Sequence, residues 1–384
     1  MMTCPCSRSR FRWLRTFCSL VCLVLGCCSL PPARAQDISK PSETIDDDVT
    51  AFAYAPDGRI VYSVRHLFKT KKFDLQRDDI WIREPGGHRR RIFEGQKFTV
   101  GDKPFSYLVQ GFRWSPDERK ILVALNTASI SDESGATVME PMALVLEDSG
   151  KQLNIGTYKI LHNAIAPTWL PDNSTIVYFS EAIKPDILFS FHYATLANGP
   201  GGTLFEGRTF LDYDPLPGTN SAIAIERDRN LSGPPRIQRL DLLSQDNKEL
   251  ATLDGFESGL TVSPSGKRIA YYIDKEVLEV RDLAAPDHCA RIRIGLGVYN
   301  WMPDERAIIL KRSPEHKSGD LVWIAIPPLA VPPAGQPVPV TDTQFVPLLH
   351  DLTFRDFAIS PDGQNLAVVP PGKRNLLIFP LPRS

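Results

Sequence analysis

Arg65, His66, Lys69, Lys71, Lys72 and Arg77 concentrate positive charge in one short stretch that also holds Phe68 and Phe73. Such a set can dock an acidic protein or peptide through charge complementarity. The stretch reads as a long loop between two strands, and long loops on a rigid scaffold often carry binding function. A solvated loop with no partner is the alternative. Residues 126–141 form a second long loop, with Asp132 and Glu133. Asp46, Asp47 and Asp48 could contribute to a cation site or flank a strand in solvent, and Arg89, Arg90 and Arg91 alternate along a predicted surface strand.

Catalytic signatures are missing. There is no Gly-x-Ser-x-Gly elbow, no His-Glu-x-x-His and no phosphate-binding Gly-x-x-x-x-Gly-Lys-Ser/Thr. The seven His (His66, His88, His162, His192, His288, His316 and His350) lack metal-ligand spacing. His288 and Cys289 are neighbours, but adjacent strand residues point to opposite faces and do not readily share a metal. The sequence therefore assigns no catalytic residue, metal ligand or cofactor, although a site assembled from several parts of the fold stays open.

The elements that would position these residues come from a repeat. A short apolar or aromatic stretch, a Pro-centred turn and an apolar strand recur at Pro56, Pro116, Pro171, Pro264, Pro303 and Pro361, with a degraded copy at Pro215. Leu211-Asp212-Tyr213-Asp214-Pro215 through Gly218 make that copy. Pro at the second position of a type I turn pre-sets φ, and Gly or Asn suits a following left-handed residue. Gly58, Asn173, Gly266 and Gly363 fit that position; Glu118 and Glu305 fit it less well. The recurrent Asp57, Asp117, Asp172, Asp304 and Asp362 read as turn formers, and Trp81, Trp114, Trp169, Trp301 and Trp323 as packing between repeats.

A third strand is expected after each hairpin, for example at 79–82, 187–189 and 321–324, and Pro85-Gly86-Gly87 leads to a fourth strand at 90–93. Gly150 and Gly199 to Gly202 mark equivalent turns. The spacing averages about 51 residues, near that of four-stranded blades. With no amphipathic helical pattern and with 33 Pro and 25 Gly, the expected fold is an all-β propeller of seven four-stranded blades. The segment from Ile38 to Val49 is expected to complete the last blade and close the fold, which removes sheet edges.

These turn and strand motifs resemble the TolB-type, WD-repeat-like propellers of bacterial envelopes. The likeness rests on the Trp/Tyr-Ser/Ala-Pro-Asp-Gly turn, the Ile-Val/Ala-Tyr strand and Asp79-Ile80-Trp81-Ile82 followed by Gly-Gly. It implies fold class more than function. The residues before Asp48 are not expected to hold the separate N-terminal α/β domain of TolB itself, a departure from the resemblance. The repeats also resemble those ahead of the hydrolase domain in prolyl oligopeptidase relatives.

The first 35 residues read as a signal peptide: Arg8, Arg10, Arg12 and Arg15, an apolar run from Phe17 to Leu25, and Ala33-Arg34-Ala35 as the cleavage site. Lipidation at Cys27, in Val24-Leu25-Gly26-Cys27, is the alternative. Six of seven Cys lie in this leader and only Cys289 remains in the domain spanning 36–384, which therefore holds together without an internal disulfide. Removing the leader's five Arg leaves acidic residues in excess, which disfavours nucleic acid as a partner. The expected protein is a periplasmic or secreted monomer, or an outer-membrane lipoprotein. It would act as a non-catalytic scaffold for an envelope protein or peptide, with no membrane span in the mature chain. The competing expectation is an enzyme or a small-ligand or metal binder with its site at the channel mouth.

Overall fold

The computed structural model describes residue 38 and residues 40–69, 74–95, 106–130, 137–181, 189–228, 233–312, 321–333, 336–349, 356–370 and 374–381. The expected leader over 1–35, with Cys27, lies outside them. Every element among the described residues is a strand, and no helix is long and apolar enough to cross a membrane.

The strands are short antiparallel meanders. β1 (Glu43–Ile45) stands apart in sequence from the first meander, β2 (Val49–Tyr54), β3 (Ile60–Lys69), β4 (Asp74–Arg83) and β5 (Arg89–Phe93). The second comprises β6 (Ser106–Trp114), β7 (Lys120–Ile130), β8 (Thr137–Glu147) and β9 (Gln152–Leu153), with β10 (Leu161–His162) beside β8. The third is β11 (Ile165–Trp169), β12 (Thr175–Glu181), β13 (Phe189–Thr195) and β14 (Gly201–Leu204). The fourth is β15 (Thr209–Pro215), β16 (Ser221–Arg227), β17 (Arg236–Asp241) and β18 (Asn247–Thr252). The fifth is β19 (Ser258–Val262), β20 (Arg268–Tyr272), β21 (Val277–Asp282) and β22 (Cys289–Arg293). Next come β23 (Gly297–Trp301), β24 (Ala307–Arg312), β25 (Leu321–Ala325), β26 (Val340–Asp342) and β27 (Val346–Leu349), then β28 (Asp356–Ile359), β29 (Asn365–Val369) and β30 (Leu376–Pro380).

They pair into six sheets in a β-propeller arrangement. Four are four-stranded, one is the fifth meander with an added strand, and one has nine strands. The expected seven separate four-stranded sheets are thus not matched sheet for sheet. The physical reason is a single parallel pair, Arg77 with Tyr107, which joins the first and second meanders through β4 and β6. The added strand, β26, leaves the sixth meander and runs parallel to β22, with Arg291 opposite Val340.

β1 pairs β30, Glu43 opposite Ile378 and Ile45 opposite Leu376, so the segment before the first repeat does complete the sheet of the last. Ile45 is 1% exposed there. Two smaller expectations change. Of the third strand expected at 187–189, residues 187 and 188 lie outside the described residues and Phe189 belongs to β13 (Phe189–Thr195), while Gly201-Gly202 belong to strand β14 rather than to a turn.

Apolar faces of neighbouring meanders pack on one another. Val61, Ile80 and Ile82 of the first meet Val109, Ile121, Val123 and Leu144 of the second. Polar side chains then stitch the innermost strands. Trp169 Nε1 donates to Arg113 O (3.1 Å), Trp301 Nε1 to Thr261 Oγ1 (2.9 Å), and Tyr213 Oη to Ala166 O (2.6 Å). The turn Asp residues act as expected: Asp362 accepts from the Ser360 hydroxyl and the Gln364 N–H, and these bonds hold its carboxyl below the usual range.

Candidate interaction site

Residues 65–69 and 74–77 are strand, not loop. β3 and β4 continue through them in register, with Arg65 opposite Asp78, His66 opposite Arg77 and Lys69 opposite Asp74. The charged residues mask a strand alternation whose inward positions are Val64 and Leu75, both buried. Lys71, Lys72 and Phe73 lie outside the described residues. Residues 126–141 are corrected likewise: β7 and β8 pair from Lys120↔Glu147 to Ile130↔Thr137, with Asp132 and Glu133 outside the described residues.

The hairpin separates the candidate residues by role. Arg65 Nε and Nη2 donate to Asp78 Oδ1 (2.9 Å) and Oδ2 (3.0 Å). The Asp78 carboxylate is fully enclosed and also accepts the Val109 N–H of the second meander at 2.8 Å. Thr50 Oγ1 donates to it at 3.3 Å. Arg65 therefore braces two meanders and is not free to hold a partner. The Arg77 guanidinium lies over the Tyr107 ring, 5.6 Å from its centroid, and is likewise committed to the scaffold. His66 is exposed, its Nε2 3.3 Å from Asp79 Oδ2, and Asp79 also takes Arg91 Nη1 (3.2 Å) and the Gly95 N–H (2.8 Å). Lys69 projects to solvent.

Leu67, which the charge pattern does not single out, is 56% exposed between His66 and Lys69. Leu67 and Lys69 are alternate residues of β3 and share one face, while His66 points to the other, so the outward strip is one apolar side chain beside a cation. It could meet an acidic surface that has an apolar centre. On the neighbouring hairpin Met139 is 54% exposed, and Glu140 pairs with His162 at 2.8 Å.

Other acids are spent on the fold. Asp47 pairs with Arg89 (2.9 Å) and Asp48 with Arg374 (2.5 Å), so this run does not form an open cation site. On the inner strands Asp212 Oδ2 accepts the Leu260 N–H (3.0 Å) and Asp214 Oδ2 the Val262 N–H (2.7 Å). Burial pushes the Asp214 carboxyl up to about 6, against the opposing pull of Arg113. Buried Glu279 accepts hydrogen bonds from Arg281, Arg291 and the Tyr271 hydroxyl. Cys289 is buried and His288 exposed, so the two point apart as expected of strand neighbours.

No family model and no curated protein matches the sequence. Solved structures do match by fold. A chain from the mitotic checkpoint complex superposes with a TM-score of 0.59 at 13% identity, over 92% of this chain and 95% of that one. The C-terminal WD40 domain of Sif2 gives 0.53 at 10% identity, over 90% and 98%. One of two prolyl endopeptidases studied for inter-domain dynamics gives 0.57 at 13% identity over 91% of this chain; this chain spans about half (52%) of that enzyme. At these identities the likeness establishes a WD-repeat-like β-propeller.

Proposed function

We propose that this chain is an exported bacterial β-propeller of TolB type that acts as a non-catalytic protein-binding scaffold in the periplasm or envelope. In this reading the nine-stranded sheet is two blades fused at Arg77 and Tyr107, which gives seven, and β1 closes the set. Residues 1–35 are a leader removed before Gln36, or one processed for lipidation at Cys27, and the mature chain is a monomer.

The observation that carries the scaffold reading is the outward strip on the β3–β4 hairpin. Leu67 is 56% exposed on the same strand face as Lys69, on a hairpin anchored by the enclosed Arg65–Asp78 pair. Exposed apolar side chains on a rigid support favour binding because little conformational freedom is lost on association. The partner class is an acidic envelope protein or peptide with an apolar centre. The enzyme reading gains no specific support, because the inner-strand acids Asp212 and Asp214 already accept backbone N–H groups.

The test is in-cell photocrosslinking with the reactive group at position 67, with crosslinked species identified by mass spectrometry. One dominant envelope protein, lost on Lys69→Glu, supports the proposal. A uniform background insensitive to Lys69→Glu removes the hairpin as the docking site. The mass of the mature N-terminus separates cleavage before Gln36 from lipidation at Cys27.

A further inference from the structure

The outermost strand of a sheet leaves a row of backbone N–H and C=O groups unpaired, and folded chains blunt such edges with charge, proline, shortness or cover. Among the described residues every outer edge but one is blunted in these ways. β5 presents Arg89, Arg90 and Arg91, β18 presents Lys248 and Glu249, and β27 contains Pro347. β9 and β10 are two residues long, and β1 is three, with Glu43 held by Arg83. β22 is covered by a strap of the chain itself, whose β26 runs parallel to it and ends on Asp342. β14 has none of these protections. Gly201, Gly202, Thr203 and Leu204 form the outer end of the third meander's sheet, and the first three are exposed.

Register decides which groups this edge presents. The Thr195 N–H donates to the Pro200 carbonyl (3.1 Å), and the strands then pair Ala194 with Gly201, Tyr193 with Gly202 and His192 with Thr203. Bonded and non-bonded pairs alternate in an antiparallel ladder, so the N–H and C=O groups of Gly201 and Thr203 point away from β13. No strand among the described residues pairs with β14 on that side. The Tyr193 ring lies across Gly202, its Cε1 3.2 Å from where a Cβ would stand. On the other face Thr203 Oγ1 is 3.4 Å from His192 Nδ1, and the His192 ring stacks on Tyr178. From Phe189 to Phe205 the hairpin holds no Lys, Arg, Asp or Glu.

We propose that the β14 edge is a docking site, separate from the β3–β4 hairpin, for an extended uncharged segment of a partner protein that adds as a fifth strand to this sheet. Backbone bonds to Gly201 and Thr203 attach it. The residue opposite Gly202 selects it: Gly202 puts no side chain in the way, so a Tyr or β-branched side chain there packs on the Tyr193 ring. A second copy of β14 is a poor occupant, because two facing Gly201-Gly202 runs bring no side chains together.

The test uses the full mature chain and a fluorescein-labelled heptapeptide of alternating Thr and Val with Tyr at its centre, followed by fluorescence anisotropy. The control peptide has the same side chains on N-methylated amides, which cannot donate. Saturable binding of the first peptide alone is expected, weakened about tenfold by Thr203→Pro, which removes one outward donor, and unchanged by Lys69→Glu. The Thr203 N–H makes no bond to β13, so the thermal midpoint of Thr203→Pro should stay near that of wild type. Hydrogen exchange of the Gly201 and Thr203 amides should slow when the peptide is added, which locates the site without relying on a variant. Equal binding of both peptides, or unchanged exchange at these two amides, overturns the proposal. So does a dimer of the mature chain that Thr203→Pro abolishes while no peptide binds, which would make a second copy the occupant.

Discussion

Asn173 Oδ1 accepts the backbone N–H of Asp117, one repeat earlier in the chain, at 2.7 Å. Asn173 occupies the left-handed position of its own turn (φ 59°), where Glu118 (59°) and Glu305 (58°) stand in theirs and glycines stand in others. Glu305 reaches back to the Ser265 N–H in the same way, and Glu118 to the backbone of Asp57. A side chain that is strained at positive φ is retained where it ties consecutive turns together. Asn173→Ala should cost about 1–2 kcal/mol, from the lost bond and the left-handed conformation together. Asn173→Gly should cost less, because it removes the bond without the conformational penalty. Urea midpoints of the two variants decide it; equal losses would mean that the left-handed conformation carries no penalty at this position, and no loss in Asn173→Gly would mean that the bond contributes nothing.

The Arg65–Asp78 pair should behave as a buried brace. Asp78→Ala leaves the Arg65 charge and the Val109 N–H unpaired, and should destabilise the fold by about 3–5 kcal/mol. Arg65→Ala should also destabilise, whereas Lys69→Glu should leave the thermal midpoint unchanged. Weakened partner capture by an Arg65 variant would then report lost structure, and capture by the Lys69 variant would report the contact itself.

Asp214 should give stability a pH dependence. Its carboxyl titrates near 6 in the folded chain, above the ordinary carboxylate value of about 4, because it is buried. The folded chain thus holds a proton between about pH 4 and 6 that the unfolded chain has released. This group's contribution therefore favours the fold at the acid end of that window, declines as pH rises through it, and levels off above about 6. Thermal midpoints of wild type and Asp214→Asn, compared across this range, should converge at the acid end and diverge in favour of the variant toward neutrality. Parallel curves would show that Asp214 does not titrate there.

Closure by β1 should be visible as both stability and solubility. Ile45→Ala removes a fully buried side chain against β30 and should cost about 2–5 kcal/mol. Deleting residues through Ile45 should expose the β30 edge and promote self-association. Size-exclusion chromatography with light scattering would show this, and an unchanged monomer would indicate that the edge is otherwise protected.

The repeat is legible because its turns obey local chemistry. Pro56, Pro116, Pro171, Pro264, Pro303 and Pro361 each mark a hairpin, and the strands that follow are apolar on both faces because each packs between neighbours. The candidate hairpin is less legible. Arg65 and Arg77 look like loop residues in a linear reading, which starts the strand only at Asp79, since a charged residue committed to the scaffold leaves no apolar signature at its position. Glu118 and Glu305 look like poor turn residues for a related reason: what they bond to lies one repeat away. The nine-stranded sheet depends on one pair, Arg77 with Tyr107, and the strap on a long-range parallel pairing at β26; neither has a local periodicity to announce it. Leu67 is missed because a single leucine carries no information about its exposure.

The pairing of β1 with β30 imposes an order of events on the living chain. Ser42 Oγ donates to the Ile378 carbonyl across 336 residues of sequence. A chain made and delivered from its N-terminus emerges with β1 long before its partner exists, whereas each intervening meander can form as soon as its own strands are out. For all that interval β1 is an unpaired strand, and Ile45 has nowhere to be buried. The step most exposed to aggregation and to chaperone capture is thus the last one, in which the earliest strand meets the latest.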